Sequence, residues 1–246
     1  PCGRVPPIVV HVHDDVRSAN DVFVRAVSAL SDAQLRAPSR LPNWTRGHVA
    51  AHVALNAEGF VEVASALRSG QRAFMYPSGL AERDQAIDDL ALASSEELTA
   101  RVRDAGLAFM EAWDPLPPIG DCATAPGYPT FSPSTVLQRR LRELQVHLVD
   151  LALHDFGVEC WSASFVDSDL GLQWATVEAR TNQPVAAVDE FGVLWRAGRV
   201  LHEHEPVHVS RRLLLAWVLD RGQIEGLPLL QPWSNRSKWE HLPTTA

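Results

Sequence analysis

The chain has 246 residues, 46% of them hydrophobic and 21% charged, with a formal net charge of −8. That composition can bury a substantial core, in one large domain or two modest ones, and excludes a disordered segment. The negative balance argues against nucleic acid or an anionic membrane as partner, while leaving room for a small anion in a local basic pocket.

In chain order, the first predicted helix carries Val16, Ala19, Phe23, Val27 and Leu30 at steps of three and four. The second begins after Thr45, a plausible N-cap, and runs through RGHVAAHVALNAEGFVEVASALRSG to a stop at Gly70. The third opens with SSEEL, where Ser94 and Glu97 form a predicted capping box, and turns Leu98, Val102 and Phe109 inward. Proline-rich segments (AWDPLPP, TAPGYPTFSPS) precede the fourth, from about Ser134 to His154, whose seam is Leu137, Leu141, Leu144, Leu148 and Leu151. Four amphipathic helices of this length predict a four-helix bundle over 1–157.

After Gly157 the texture changes. QPVAAVDEFGVLWRAGR reads as two short strands around a turn and EPVHVS as a third. DSDLGLQWATVEAR reads as one helix, and RRLLLAWVLDRG as another, capped by Ser210 and stopped at Gly222. Residues 158–246 are therefore expected to form a small α+β domain, with an irregular tail. Cys2, Cys122 and Cys160 are widely spaced, with no CxxC pair and no disulfide framework, as a reducing cytosol would have it. The opening PCGRVPPIVV does not read as a signal peptide, and nowhere do about 18 apolar residues run together. A cytoplasmic protein with no membrane partner is expected.

The chemistry concentrates on two helices. Along the second, the inward positions run Val49, His52/Val53, Asn56, Phe60 and Val63, so His52 and Asn56 interrupt an apolar face. Along the fourth, in RELQVHLVDL, Glu143 and His147 flank the leucine seam four residues apart. Helical bundles build metal sites from inward carboxylates and imidazoles on facing helices. Two histidines and one glutamate leave a coordination position open, the catalytic pattern for zinc. Against this stands an ordinary reading, since a lone buried histidine is usually a satisfied core residue and an E-x-x-x-H pair is common on solvated helices. Three polar groups in one core are costly to bury unpaired, and a metal would satisfy all three. His48 makes an H-x-x-x-H with His52 but reads as a support or surface residue. The run His202, His204, His208 sits in a polar connection, and His11 and His13 lie near the start. No G-x-S-x-G elbow and no phosphate-cradling glycine loop occurs.

LPNWTRGHVAAHVALNAEGF resembles the N-terminal signature of the mycothiol-dependent maleylpyruvate isomerases, a branch of the DinB-like metal-binding bundles. FMYPSGLAERDQAIDDLA is similar to the family's next loop and helix, RRLRELQVHLVDLALHDFG to its fourth helix, and LLAWVLDRG with LPLLQPW to its closing segment. The resemblance implies Zn2+ held by His52, Glu143 and His147, and a catalytic role for Arg221. The residues alone would make Arg221 a cation at a helix C-terminus. It also implies mycothiol as cosubstrate, its thiolate adding to the cis double bond of maleylpyruvate so that rotation and elimination give fumarylpyruvate. Zinc would lower the thiol pKa, and Arg221 would balance the negative charge developing on the substrate. Asn56 and Arg83 are the candidate substrate contacts, with Arg140 beside the metal face a further cation. The alternative keeps zinc and thiol but ends in S-transfer or thiol exchange on another electrophile, in some relatives within a natural-product pathway. A non-catalytic metal-binding protein is the third reading, for which Arg221→Ala would change nothing. No helix shows a second apolar stripe, so a monomer is expected, with a small electrophile and a low-molecular-weight thiol as partners.

Overall fold

A computed structural model describes residues 12–115, 117, 120–198 and 205–231. The chain divides into two compact units, Pro1–Ala152 and Leu153–Ala246. It is helix-rich with two small sheets, an α+β architecture.

The first unit contains α1 (Val12–Ser28), α2 (Asp32–Leu35), α3 (Arg46–Arg68), α4 (Leu80–Leu90), α5 (Ser95–Ala112) and α6 (Val136–Asp150). The long helices pack as neighbours, α1 on α5 and α6 and α3 on α5 and α6. Helices α3 and α5 start at the caps their sequence predicts. The Thr45 hydroxyl accepts from the His48 backbone N–H, while the His48 ring accepts from the Thr45 N–H in return. Ser94 and Glu97 make the equivalent box at α5. On α1, Val16, Ala19, Phe23 and Val27 are buried as their spacing predicts.

Helix α3 is buried on more than one face, because small residues let neighbours approach closely. A Cβ on Gly47 would stand 2.8 Å from the Ala91 carbonyl oxygen, so only glycine fits there. Farther along, the Phe60 ring packs edge-on against Phe109 and Trp113, and the Trp113 indole donates to the Phe60 carbonyl at 3.1 Å. Truncating a buried aromatic in such a cluster costs about 3–5 kcal/mol.

In this unit two features depart from the sequence reading. Helix α6 ends at Asp150 rather than His154. Ala152 adopts the left-handed region at φ 52°, and Arg46 takes the carbonyls of Leu151 and Ala152 at 2.7 and 3.0 Å, so the chain turns away instead of continuing. A three-stranded sheet not anticipated from the sequence joins β1 (Ala73–Phe74), β2 (Cys122–Ala123) and β3 (Thr130–Phe131), with β1–β2 parallel and β2–β3 antiparallel.

The second unit contains α7 (Ala163–Trp174), α8 (Val177–Arg180), β4 (Val185–Val188), β5 (Leu194–Ala197), β6 (Val207–His208) and α9 (Arg211–Val218). The expected hairpin is β4–β5, antiparallel, and the third strand β6 joins β4 in parallel. Helix α7 packs on α9. DSDLGLQWATVEAR is not one helix but α7 and α8, parted at Ala175–Thr176. Ser210 caps α9 as expected, accepting from the Leu213 N–H. The helix stops before Asp220, which takes the left-handed conformation at φ 61°, and not at Gly222. Aspartate tolerates that conformation, and Arg180 caps the Val218 carbonyl. His11, His202 and His204 lie outside the described residues.

Candidate metal centre

Helix α3 supplies His52 and α6 supplies Glu143 and His147. On α6 the two residues are one turn apart, so both side chains leave the same face beside the buried leucines. His52 Nε2 lies 2.9 Å and His147 Nε2 3.3 Å from the same oxygen, Oε2 of Glu143. The two imidazoles meet edge-on with centroids 4.6 Å apart, and the Trp44 ring lies 5.6 Å from His52. One ligand atom from each of His52, Glu143 and His147 falls within 4.8 Å of the others. Among the described residues this is the sole group of three or more such donors with that geometry.

The surroundings hold these groups in place. Asp150, fully buried at the end of α6, lies 2.9 Å by Oδ2 from His147 Nδ1. Arg83 on α4 reaches His52 Nδ1 with Nη2 at 2.9 Å and Asp84 with Nη1 at 2.6 Å. Its guanidinium carbon also lies 5.6 Å from the centre of the Tyr76 ring. Arg140, wholly buried one turn before Glu143, donates from Nη1 to the Val53 carbonyl at 2.8 Å and to Asn56 Oδ1 at 3.0 Å. His48 is committed to the α3 cap and to Asp88, 3.5 Å from its Nε2, so it is not part of the donor cluster.

The protonation states follow from these contacts. Burial pushes the His52 pKa down to about 4, against the Glu143 hydrogen bond and with help from the charges of His147 and Arg83. Burial would lower His147 too, but the Asp150 and Glu143 carboxylates outweigh it and raise its pKa to about 9. Burial opposes ionisation of Glu143, yet hydrogen bonds from His147 and His52 hold its carboxyl well below the usual range. Burial lowers the Arg140 pKa to about 10, which keeps it charged at neutral pH. Tyr76 is raised by burial. At neutral pH the centre is thus an imidazolium clamped by two carboxylates beside a neutral imidazole.

The donor set fits a divalent metal. Two imidazole nitrogens and a carboxylate oxygen converge, and three protein donors leave a coordination position open. The Asp150 carboxylate on His147 Nδ1 is placed as the partner that would leave Nε2 to face a metal and make it a better ligand.

Of the residues singled out from the sequence, His52, Glu143, His147 and Arg83 come together directly. Asn56 joins through Arg140. In the second unit, Arg221 donates from Nη1 to the Leu219 carbonyl at 2.6 Å, in the turn that ends α9. Sequence reasoning missed Asp150, although its i+3 spacing from His147 in HLVD was the available signal. It also missed Tyr76, which no local pattern marks.

Fold and site define a helix-rich α+β protein with a two-histidine, one-glutamate metal-type centre. Residues 16–152, more than half of the chain, match the mycothiol maleylpyruvate isomerase N-terminal domain, and the chain belongs to that family. The crystal structure of the mycothiol-dependent maleylpyruvate isomerase is similar in fold, with a TM-score of 0.78 at 18% identity, covering 90% of this chain and 95% of that one. A histidine-to-alanine mutant of that enzyme aligns over the same shares at 18% identity, with a TM-score of 0.77. No curated protein sequence matches the chain significantly. Among the described residues, no helix is long and apolar enough to cross a membrane.

Proposed function

We propose that the chain is a Zn2+-dependent enzyme that uses mycothiol to isomerise maleylpyruvate to fumarylpyruvate. The convergence of His52 Nε2, His147 Nε2 and Glu143 Oε2 carries this reading, together with family membership. We read α1, α3, α5 and α6 as the DinB-like four-helix bundle that presents these donors. A bound Zn2+ would lower the pKa of a thiol placed at its open position, giving thiolate at neutral pH.

The chain's own groups then have distinct tasks. Asp150 holds the Nδ1 hydrogen of His147, so that Nε2 would be the atom to hold a metal. Arg83 is the proposed contact for a substrate carboxylate, being the cation nearest His52. Asn56 supports Arg140, whose buried charge favours anions at this end of α3. Arg221 is the proposed cation for the negative charge that builds on the substrate as the thiolate adds. In this reading Cys122, buried and raised to about 11 by desolvation, takes no part. The enzyme is read as a cytoplasmic monomer whose partners are the thiol and a small electrophile.

The test is turnover of maleylpyruvate with mycothiol and zinc-loaded protein. Fumarylpyruvate formed with mycothiol recovered unchanged supports isomerisation. A stable thioether adduct assigns S-transfer instead, and neither product assigns a non-catalytic metal protein. Arg221→Ala is expected to keep its zinc and lose about 10²–10³ in rate.

A further inference from the structure

The two histidines of the centre are prepared in opposite ways. His147 Nδ1 faces a carboxylate oxygen of Asp150 at 2.9 Å. A carboxylate accepts, so Nδ1 keeps its hydrogen, and Nε2 is the atom that can give one up and turn a lone pair toward a cation. His52 Nδ1 faces Arg83 Nη2, also at 2.9 Å. A guanidinium only donates, so here Nδ1 is the bare nitrogen and Nε2 carries the hydrogen, aimed at Glu143 Oε2 2.9 Å away.

A neutral imidazole has one N–H. Ligation through His52 Nε2 requires that hydrogen to be on Nδ1, where it would meet the N–H of Arg83 head on. Ligation through Nδ1 would displace Arg83 outright. Either way, the Arg83 contact and metal ligation by His52 exclude one another. The number of protons on the ring is the same in both states, since the hydrogen passes from Nε2 to Nδ1 through solvent.

We infer that Arg83 is a metal-linked gate: because its contact with His52 and metal ligation by His52 exclude one another, a metal that takes His52 releases Arg83 as a free-ended guanidinium. The inference rests on the proposed metal site and adds a coupling to it, because the group released is the one suited to an anionic part of the substrate. The released head has somewhere to go. Nη1 is already tied to Asp84 on the same helix, Nε is buried without a partner, and the Tyr76 ring lies within cation–π reach. By linkage, an anion that binds Arg83 must then favour the metal-loaded state.

Zn2+ affinity, measured by competition with a chromophoric chelator, tests the gate. Arg83→Met is expected to bind Zn2+ on the order of tenfold tighter than wild type, the scale of effects from groups behind a ligand. Arg83→Lys, which keeps a donor on Nδ1, is expected to stay near wild type. Independently of any variant, ¹⁵N-edited histidine spectra of the wild type should show His52 as the Nε2–H tautomer without metal and the Nδ1–H tautomer with Zn2+. Equal or weaker Zn2+ binding by Arg83→Met, or a metal-free His52 already protonated on Nδ1, overturns the gate while the metal site stands. Failure of wild type and Arg83→Met alike to bind Zn2+ removes the proposed function and the gate with it. Zinc binding and tautomer change without maleylpyruvate turnover would overturn only the proposed reaction.

Discussion

Glu143 and Asp189 are each the hub of one unit's charged cluster, and the two are built to opposite ends. Asp189 Oδ1 accepts from the backbone N–H groups of Phe191 and Val193 at 2.9 and 2.8 Å. Its Oδ2 accepts from Trp195 Nε1 at 3.0 Å and from Arg211 Nε at 2.7 Å. Every one of those partners is a permanent donor: amide, indole, guanidinium. Arg211 in turn reaches Asp167 and lies over the Phe191 ring. The cluster is closed, and it pins the β4–β5 turn to the start of α9. Glu143 instead draws two imidazoles, which can give up a hydrogen and offer a lone pair. A carboxylate saturated by permanent donors locks a fold, whereas one facing imidazoles can exchange its hydrogens for a cation.

Breaking the open hub has the largest expected effect. His147→Ala should lower Zn2+ affinity by more than about 10³-fold, since a three-donor site becomes a two-donor one. Equilibrium dialysis reads this directly. Breaking the closed hub should be visible in stability alone. Asp189→Ala leaves Arg211 without its buried partner and is expected to cost about 3–5 kcal/mol in denaturant unfolding, with zinc stoichiometry unchanged under native conditions.

The pH profile separates the hubs without a mutation. Between the ordinary histidine value of 6.5 and about 9, folded His147 holds a proton that the unfolded chain has released. Its contribution is therefore full below 6.5 and lost as pH rises through about 9, on the order of 3 kcal/mol in the metal-free protein. His52 acts on the other side. It is neutral in the fold down to about 4, so its contribution is present above 6.5 and disappears as pH falls through about 4. Metal-free stability should peak near 6.5, and saturating Zn2+ should remove the alkaline decline; a metal-free profile flat from pH 6 to 9 contradicts the clamp on His147. The smallest effect belongs to Asp150→Asn, which keeps the shape but weakens the acceptor on His147 Nδ1. It should reduce Zn2+ affinity about 10–100-fold, with Glu143 and His147 still in place.

Much of this was legible in the sequence. The leucine seam of α6 and the apolar face of α1 follow from helical spacing, and Thr45, Ser94 and Ser210 mark helix starts by their own hydroxyls. His52 stood out because it interrupts an apolar stripe, as did Glu143 and His147 beside one. The two-residue strands β1, β2 and β3 are too short to show any period. The end of α6 depends on Arg46, more than a hundred residues away, reaching the last carbonyls. The contact of Arg83 with His52 joins α4 to α3 across 31 positions, and only packing discloses it.

X-ray absorption at the zinc edge, on purified wild type before and after addition of mycothiol, is the direct test of whether this centre holds zinc with a position open to a thiol. About one zinc per chain is expected, with nitrogen and oxygen neighbours at about 2.0–2.2 Å and a sulfur neighbour at about 2.3 Å once the thiol is present. A protein that binds no zinc, or a zinc shell that gains no sulfur, would contradict that reading.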